Sequence, residues 1–205
     1  MKNDSPNEYL TIKEPKTAKL KEKRSIFIAQ VFPVSCEDKT KIQIDMVKKE
    51  FFDANHHCFA LRIGKGESEF FKYSDAGEPR GTAGKPILTA IQSKNLTDVL
   101  VVVTRYFGGI KLGTGGLSRA YHSITLKVLN ECDIVKKIKK AQMNLKIPLN
   151  LYGNVCKVLG KYNCDISKTD FKENNVEITL EIEGKRSSDL KNNLIEATDG
   201  KIEFI

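Results

Sequence analysis

The sequence contains no long hydrophobic run, and this absence argues against a protein that crosses a membrane with helices. Its longest apolar stretch, Val99–Val103, is far shorter than the roughly 20 residues that a transmembrane helix needs. The polar N-terminal stretch MKNDSPNEYL also lacks the hydrophobic core of a signal peptide. With 205 residues, of which 40% are hydrophobic, the chain can bury a core of its own. We therefore expect a cytoplasmic protein without a membrane partner.

Paired cysteines are missing as well. The five cysteines are an odd number, form no CxxC pair and follow no regular spacing: Cys36, Cys58, Cys132, Cys156 and Cys164. Zinc sites and disulfide frameworks use paired or regular spacings, so the sequence favours reduced, mostly buried thiols over a zinc or redox site. The stretch ANHHCFALR holds His56, His57 and Cys58, but in a strand His57 points away from the other two. We predict no metal and no cofactor, and leave the role of these three residues open.

Nucleotide-binding motifs are absent too, although one glycine-rich stretch, TRYFGGIKLGTGG, carries distinctive chemistry. It has neither the Lys-Ser/Thr pair of a P-loop nor the GxGxxG pattern of a dinucleotide site. It follows an apolar run, Val99–Phe107, that predicts a central strand, and it precedes helical spacing that starts at Leu117. Such a turn exposes backbone N–H groups at the positive end of a helix dipole, where anions are favoured. The predicted anion-binding loop contains Gly108, Gly109, Gly113, Gly115 and Gly116.

The plainer interpretation of these glycines is that they only permit tight turns and close packing of a helix against a strand. At Gly115 and Gly116 we expect positive φ or a close backbone approach. Arg105 at the end of the apolar run has two possible orientations. It either faces the anion or turns inward with Val101 and Val103 to bond carbonyl groups of the loop.

A second stretch, SDAGEPRGTAGKP, repeats this chemistry before a short predicted helix, Ile87–Ser93, with Pro86 at its first position. If the two helices lie side by side, their N-termini form one extended groove that suits a polyanion better than a metabolite. Asp75 and Glu78 in this stretch could hold a metal or act as a general base. Capping and turn hydrogen bonds are the commoner use of acids beside glycines, and we favour that interpretation.

Basic residues are concentrated in about a quarter of the chain. From Pro79 to Asn130, seven lysines and arginines accompany a single acidic residue, Asp98, while the whole chain has a net charge of +8. This excess beside glycines indicates an anionic partner. Elsewhere, as in KEKRS, basic and acidic residues alternate in the pattern of an ordinary solvated surface. The predicted nucleic-acid contacts are Arg80, Lys85, Arg105, Lys111 and Arg119.

The remaining patterns predict an α+β chain with two domains. In the first half, strands are expected at Tyr9–Ile12, which would pair near Ser25–Val34, and at Cys58–Ile63 and Ser68–Tyr73. A helix is expected from a Ser35/Asp38 capping box to about Ala54. From Gln142 onwards the order is strand, helix, strand, strand, helix, strand: 143–149, 152–162, 164–171, 176–182, 188–197 and 201–205. This βαββαβ order predicts a ferredoxin-like sandwich.

The lysine-rich stretch VKKIKKAQ lies just before this second region and is the predicted boundary, with a linker over residues 136–141. The plainer interpretation of its charge is the solvated end of a preceding element.

Two long stretches, SDAGEPRGTAGKPIL and VVVTRYFGGIKLGTGGLSRAY, together resemble the signature of the IMPACT/YigZ family. The likeness covers about residues 9–135, and the rest of the chain is similar to the small C-terminal domain of the bacterial members. The motif residues that match are Glu78, Pro79, Gly81, Thr82, Gly84, Arg105, Tyr106, Gly108, Gly109, Lys111, Gly113, Gly115, Gly116, Arg119 and Tyr121. Two departures from the family pattern stand out. Ile26 occupies the place of the usual arginine, with Arg24 on the other side of the serine, and His57 precedes Cys58 where the family commonly has asparagine.

The resemblance implies a fold and a function. Residues 1–136 would form an α/β sandwich of the ribosomal-protein type seen in domain IV of elongation factor G. Residues 142–205 would form a ferredoxin-like domain similar to domain V of that factor. The family also implies a link to translation, which its eukaryotic members regulate through a protein kinase pathway, and nucleic-acid binding by its bacterial members.

We therefore predict a protein that binds RNA, the ribosome or a translation-regulatory protein through a basic, glycine-rich groove. The alternative is an enzyme that acts on a phosphorylated or peptide substrate at Glu78 and Arg105. A protein-interaction module is the third interpretation, and it would leave the basic loops dispensable. The oligomeric state is left open.

Overall fold

The computed structural model describes residues 8–66 and 69–205 and divides into two compact units, one of Tyr9–Lys137 and one of Ile138–Ile205 together with Glu8. The strands of the first unit are β1 (Glu8–Ile12), β2 (Lys16–Glu22), β3 (Ser25–Pro33), β4 (His56–Ile63), β5 (Phe70–Ser74), β6 (Val99–Tyr106) and β7 (Ile134–Ile138). Its helices are α1 (Glu37–Glu50), α2 (Gly84–Ser93) and α3 (Gly113–Asn130). Five strands form one antiparallel sheet in the order β2-β3-β6-β4-β5.

The apolar run Val99–Val103 lies in β6, the central strand of this sheet, and the predicted burial on both faces is confirmed. Its odd-numbered residues belong to a core with side chains of α2 and α3. The even-numbered Leu100 and Val102 belong to a second core with side chains of α1. Because helices cover both faces, every position from 99 to 103 is apolar and the usual alternation of a strand disappears.

Several local expectations for the first unit need correction. Helix α1 begins at Glu37 after Cys36, without a side-chain cap, so the predicted capping box does not form. Strand β1 pairs with β7 in a separate two-stranded sheet rather than near β3. Strand β2 was not expected, because its lysines indicate solvated surface while only Ala18 and Leu20 pack inward. Of the predicted strand Ser68–Tyr73, Ser68 lies outside the described residues, and β5 begins at Phe70.

The second unit has the element order that the sequence predicts. Its elements are β8 (Lys140–Pro148), α4 (Tyr152–Leu159), β9 (Asp165–Phe171), β10 (Asn175–Glu183), α5 (Ser187–Ala197) and β11 (Glu203–Phe204). The four strands form an antiparallel sheet in the order β11-β8-β10-β9. Leu145, Leu180 and Leu194 are buried in its core, whose members among the described residues all belong to this unit.

Residues 136–141 are not an open linker, because they hold the end of β7 and the start of β8. No helix among residues 8–66 and 69–205 is long and apolar enough to cross a bilayer.

Candidate functional site

Helices α2 and α3 lie side by side, the condition under which the sequence predicts a groove, and a cleft of about 360 Å³ opens along them. The cleft is lined by Gly81, Lys85, Pro86, Thr89, Ser118, Arg119, His122 and Ser123. Lys85 comes from the first turn of α2 and Arg119 from the second turn of α3, and both side chains are exposed. None of these lining residues is acidic, so the cleft carries an uncompensated positive charge.

The start of α3 adds backbone donors near this cleft. The helix begins at Gly113 rather than near Leu117, so Gly113, Gly115 and Gly116 form its first turn instead of a preceding loop. Neither α2 nor α3 has a side-chain N-cap or an acidic residue in its first turn. At α2 the N–H groups of Ala83 and Gly84 already donate to the Asp75 carboxylate. The N–H groups in the first turn of α3 have no negative side chain of their own helix, an arrangement that favours an anion.

The glycines of this stretch serve different purposes. Gly109 and Gly113 have φ values of 84° and 72°, which favour glycine. At Gly108 a Cβ atom would lie 1.9 Å from the carbonyl oxygen of Arg24, so the two backbones touch and only glycine fits. Gly115 and Gly116 have ordinary helical conformations, and our expectation of positive φ or close backbone approach there is wrong.

The predicted basic residues are not all brought together. Arg80 and Lys111 are exposed in the loops that precede α2 and α3, but neither lines the cleft. Arg105 is 4% exposed and faces inward, where it donates to the Glu78 carboxylate (Nη1 to Oε1, 2.6 Å) and to the Ser25 hydroxyl (3.2 Å). Its partner is thus a carboxylate rather than the loop carbonyls, and it is not available to a ligand at the surface.

Glu78 is the centre of this buried network. Its Oε1 atom also accepts a hydrogen bond from the Tyr121 hydroxyl at 2.9 Å, and the His56 Nε2 atom lies 3.9 Å away. The Tyr121 ring meets the Phe27 ring edge to face, and the Arg105 guanidinium contacts Phe27 as well. The network therefore ties the loop that carries Glu78 to β6 and α3.

Asp75 organises the rest of that loop. Its carboxylate accepts hydrogen bonds from the backbone N–H groups of Gly81, Ala83 and Gly84, at 2.8 to 3.0 Å. Burial by itself raises the pKa of Asp75, but these three donors and the charge of Arg80 outweigh it and hold the pKa below its ordinary value. Asp75 thus makes the turn and capping bonds that we expect of acids beside glycines, whereas for Glu78 this expectation is wrong, because its carboxylate is buried in the ion pair with Arg105.

The other motif residues complete this loop and its surroundings. Thr82 donates to the carbonyl of Pro79 at 2.6 Å, and Gly81 has a φ of 77°. At Gly84 a Cβ would lie 2.9 Å from the backbone of Ser74, so the loop passes close to β5. Tyr106 donates its hydroxyl hydrogen to Asp53 at 2.8 Å. Most of the motif residues therefore shape the loops, and the exposed cations of the two stretches are Arg80, Lys85, Lys111 and Arg119.

The histidine-cysteine stretch alternates as predicted. His56 and Cys58 face the α2 and α3 side, where the His56 Nδ1 atom is 2.9 Å from the Ala76 carbonyl. His57 lies on the other face, with Nε2 3.1 Å from the Phe51 carbonyl. The Cys58 thiol donates to the Asp75 carbonyl at 2.9 Å, and burial raises its pKa to about 12, so it is a neutral structural thiol.

The expectation of mostly buried cysteines is wrong, since Cys36 and Cys156 are exposed and only Cys58 is fully buried. All five are free thiols. In the part of the chain that the structure describes, no three acidic, histidine or cysteine side chains form a metal-binding group.

Sequence reasoning missed two residues near the site. Ser25 accepts from Arg105 and lies 3.4 Å from the backbone N–H of Gly108, yet a serine that ends a charged stretch gives no signal of such a role. The apolar run predicts that Phe107 belongs to the strand, but β6 ends at Tyr106 and the Phe107 side chain is 44% exposed. The change from valines to an aromatic residue directly before Gly108 is the signal that could have predicted an exposed ring there.

Comparisons with known proteins agree with this motif. The model of a family described as the Impact N-terminal domain matches residues 23–129. The chain is 34% identical over 193 residues to IMPACT family member YvyE of Bacillus subtilis, an alignment that covers 94% of this chain and 88% of that protein. It is 32% identical over 151 residues to IMPACT family member YigZ of Escherichia coli, covering 73% of this chain and 74% of the other.

The fold has a solved counterpart as well. A crystal structure described only as that of a hypothetical protein covers 97% of both chains at 28% identity, with a TM-score of 0.78. The family model spans more than half of this chain, and the Bacillus relative aligns with nearly all of it. The likeness of the two glycine-rich stretches is thereby confirmed, and the chain belongs to the IMPACT family.

Proposed function

We propose that the cleft between α2 and α3 binds the phosphate backbone of RNA, free or in the ribosome, and that the protein acts in the regulation of translation in the cytoplasm. The observation that carries this proposal is the pairing of Lys85 and Arg119 on adjacent helices across a cleft whose lining contains no acid. Arg80 and Lys111 in the flanking exposed loops extend the positive surface. The link to translation rests on membership of a family for which the sequence resemblance implies that role.

The proposal has a structural part. We infer that residues 142–205 are a ferredoxin-like domain and that residues 1–136 resemble domain IV of elongation factor G. The strand order β11-β8-β10-β9 and the βαββαβ sequence of elements support the first statement. The division after Lys137 supports the two-domain organisation. The second statement rests on the family resemblance.

The test is the salt dependence of RNA binding by Lys85→Gln/Arg119→Gln. For single-stranded RNA, the logarithm of the affinity falls with the logarithm of salt concentration by about 0.7 per phosphate that is neutralised. Loss of two contacts should therefore flatten the slope by about 1.4. Adding Arg80→Gln and Lys111→Gln should bring the change to about 2.8.

A matched control is Lys41→Gln/Lys49→Gln on α1, which removes the same charge from exposed positions of a helix on the other face of the sheet. We expect its salt slope to be close to that of the native protein. A slope that stays unchanged in the cleft variant, or falls equally in both variants, would overturn the proposal.

A further inference from the structure

The loop Phe107–Leu112 presents apolar side chains at the surface, directly before α3. Phe107 and Ile110 are 44% and 39% exposed, and Ile26 at the start of β3 is 41% exposed. In β3 and β6, Ile26 is paired with Tyr106, the residue before Phe107, so the three exposed side chains come from adjoining segments. An apolar group at the end of the central strand has no part in the core packing described above and calls for a partner.

The Phe107 ring is held in place from beneath. The guanidinium of Arg105 lies over the ring, 5.4 Å from its centroid, and is itself fixed by its bonds to Glu78 and Ser25. The backbone N–H of Phe107 donates to the Asn55 side chain at 2.7 Å. The ring therefore rests on a buried cation that is itself fixed, and its exposed part forms a rigid platform.

Exposed cations lie in the segments that adjoin this platform. The two-residue turn between β2 and β3, Lys23–Arg24, touches the loop at Gly108, and both of its side chains are exposed. Lys111 is exposed in the loop itself. Lys23 and Arg24 lie in the stretch KEKRS, whose alternating charges indicate only a solvated surface when the sequence is considered alone. The fold brings them beside the aromatic ring.

From this juxtaposition we propose that Phe107 stacks on an unpaired base, so that the RNA bound by this protein is single-stranded at that point. The inference rests on the proposed function, because the cleft cations would hold the same strand. An exposed aromatic ring beside basic segments is the arrangement by which proteins bind single strands, and base pairs in a duplex would not expose a face to it.

The experiment compares Phe107→Leu, Phe107→Tyr and the native protein in binding labelled oligouridylate of about 12 nucleotides. The same strand annealed to oligoadenylate serves as the duplex. Leucine keeps the apolar character but cannot stack, so we expect binding of the single strand to weaken about 5- to 100-fold. Tyrosine should retain native affinity, and the duplex should be affected by neither change. The salt slope should stay the same in all three proteins, because no charge is removed.

The control is Phe71→Leu on the edge strand β5, where the side chain is 51% exposed. Phe71 pairs with Arg62 at one end of β4, whereas Arg105 pairs with His56 at the other end of that strand. This variant should bind as the native protein does. Thermal melting of each variant verifies that the fold is retained.

The outcomes separate the two proposals. If Phe107→Leu binds the single strand with native affinity while the salt slope of the cleft variant is flattened, the stacking proposal is overturned but RNA binding stands. The exposed ring would then be a contact for a protein partner. Equal weakening for single strand and duplex also overturns stacking, since Phe107 would then act by positioning the loop. If the native protein binds neither RNA, the proposed function itself fails.

Discussion

The ion pair between Glu78 and Arg105 is buried in the protein interior, although removing two charges from water costs several kcal/mol for each ion. Both side chains are at most 5% exposed. Hydrogen bonds from Tyr121 to Glu78 and from Arg105 to Ser25 offset part of that cost, as does the contact of the guanidinium with two aromatic rings. The two charges compensate each other, and either residue without its partner would leave an uncompensated buried charge that destabilises the fold.

We therefore expect Glu78→Gln to lower the free energy of unfolding by about 3 to 5 kcal/mol, because it leaves the Arg105 charge buried without a counter-ion. The double variant Glu78→Gln/Arg105→Gln should lose clearly less than the sum of the two single changes. Urea denaturation measures both. Breaking the exposed pair of Lys72 and Glu37 with Lys72→Gln is the control, and should cost no more than about 1 kcal/mol. Additive losses at Glu78 and Arg105 would show that the pair is not coupled.

The sequence places Arg105 beside the glycines but cannot determine which way it points. A cation that alternates with Val101 and Val103 is expected to face inward, whereas the surrounding positive charge suggests a surface role. The deciding partner is Glu78, which lies 27 residues earlier and reaches Arg105 only through the fold of its loop. Helical spacing places Arg119 in the helix that follows the glycines, but it leaves Lys85 in the loop before the shorter helix, and only the fold shows that the two helices are neighbours.

At the scale of elements, the glycine-rich turn between β6 and α3 divides into a strained part and an ordinary helical part. The close approach of Gly108 to Arg24 joins the turn to the β2–β3 hairpin, and β2 itself was missed because its pattern is that of an edge strand rich in lysine. Apolar periodicity reveals buried strands such as β6 but says little about strands with one solvated face and few apolar residues. A contact between two backbones leaves no trace in the sequence except the glycine itself.

This division predicts opposite effects of two alanine substitutions. Gly108→Ala should lower the free energy of unfolding by about 2 kcal/mol or more, because the new methyl group overlaps the Arg24 backbone. Gly115→Ala should be neutral or stabilise by up to about 1 kcal/mol. Its φ is helical, and the nearest atom to the new Cβ is the flexible end of Arg119 at 3.4 Å. Thermal melting compares the two, and a large loss of stability in Gly115→Ala would mean that the first turn of α3 needs glycine after all.

At the scale of the whole molecule, charge is divided unequally between the two units. Residues 138–205 contain 11 basic and 10 acidic residues, so nearly all of the net charge of +8 lies in the rest of the chain. Many charges of the second unit also pair across its own strands, as Lys140 does with Asp165 and Lys146 with Glu203. We therefore expect the salt dependence of the proposed RNA binding to come from the first unit. The order of elements in the second unit was predictable because each element there has clear periodicity and short connections.

The last prediction is that residues 139–205 fold without the remainder of the chain. In the part of the chain that the structure describes, the strand pairs and the apolar core of this unit are formed by residues from 140 onwards. A domain of this size has a small but sufficient core, so the fragment should unfold in urea in a single cooperative step, with modest stability. Its far-ultraviolet circular dichroism should show both helix and strand.

A matched variant sharpens this test. Leu180 is fully buried in the middle of β10, and Leu180→Ala should remove about 2 to 5 kcal/mol, enough to unfold so small a domain. The exposed substitution Ile166→Ala on β9 should be tolerated. Because the fragment is almost neutral, it should also lack salt-dependent affinity for oligouridylate. A fragment with a broad, non-cooperative transition would show that its fold depends on Tyr9–Lys137, and the division into two units would then describe the packing of one cooperative protein.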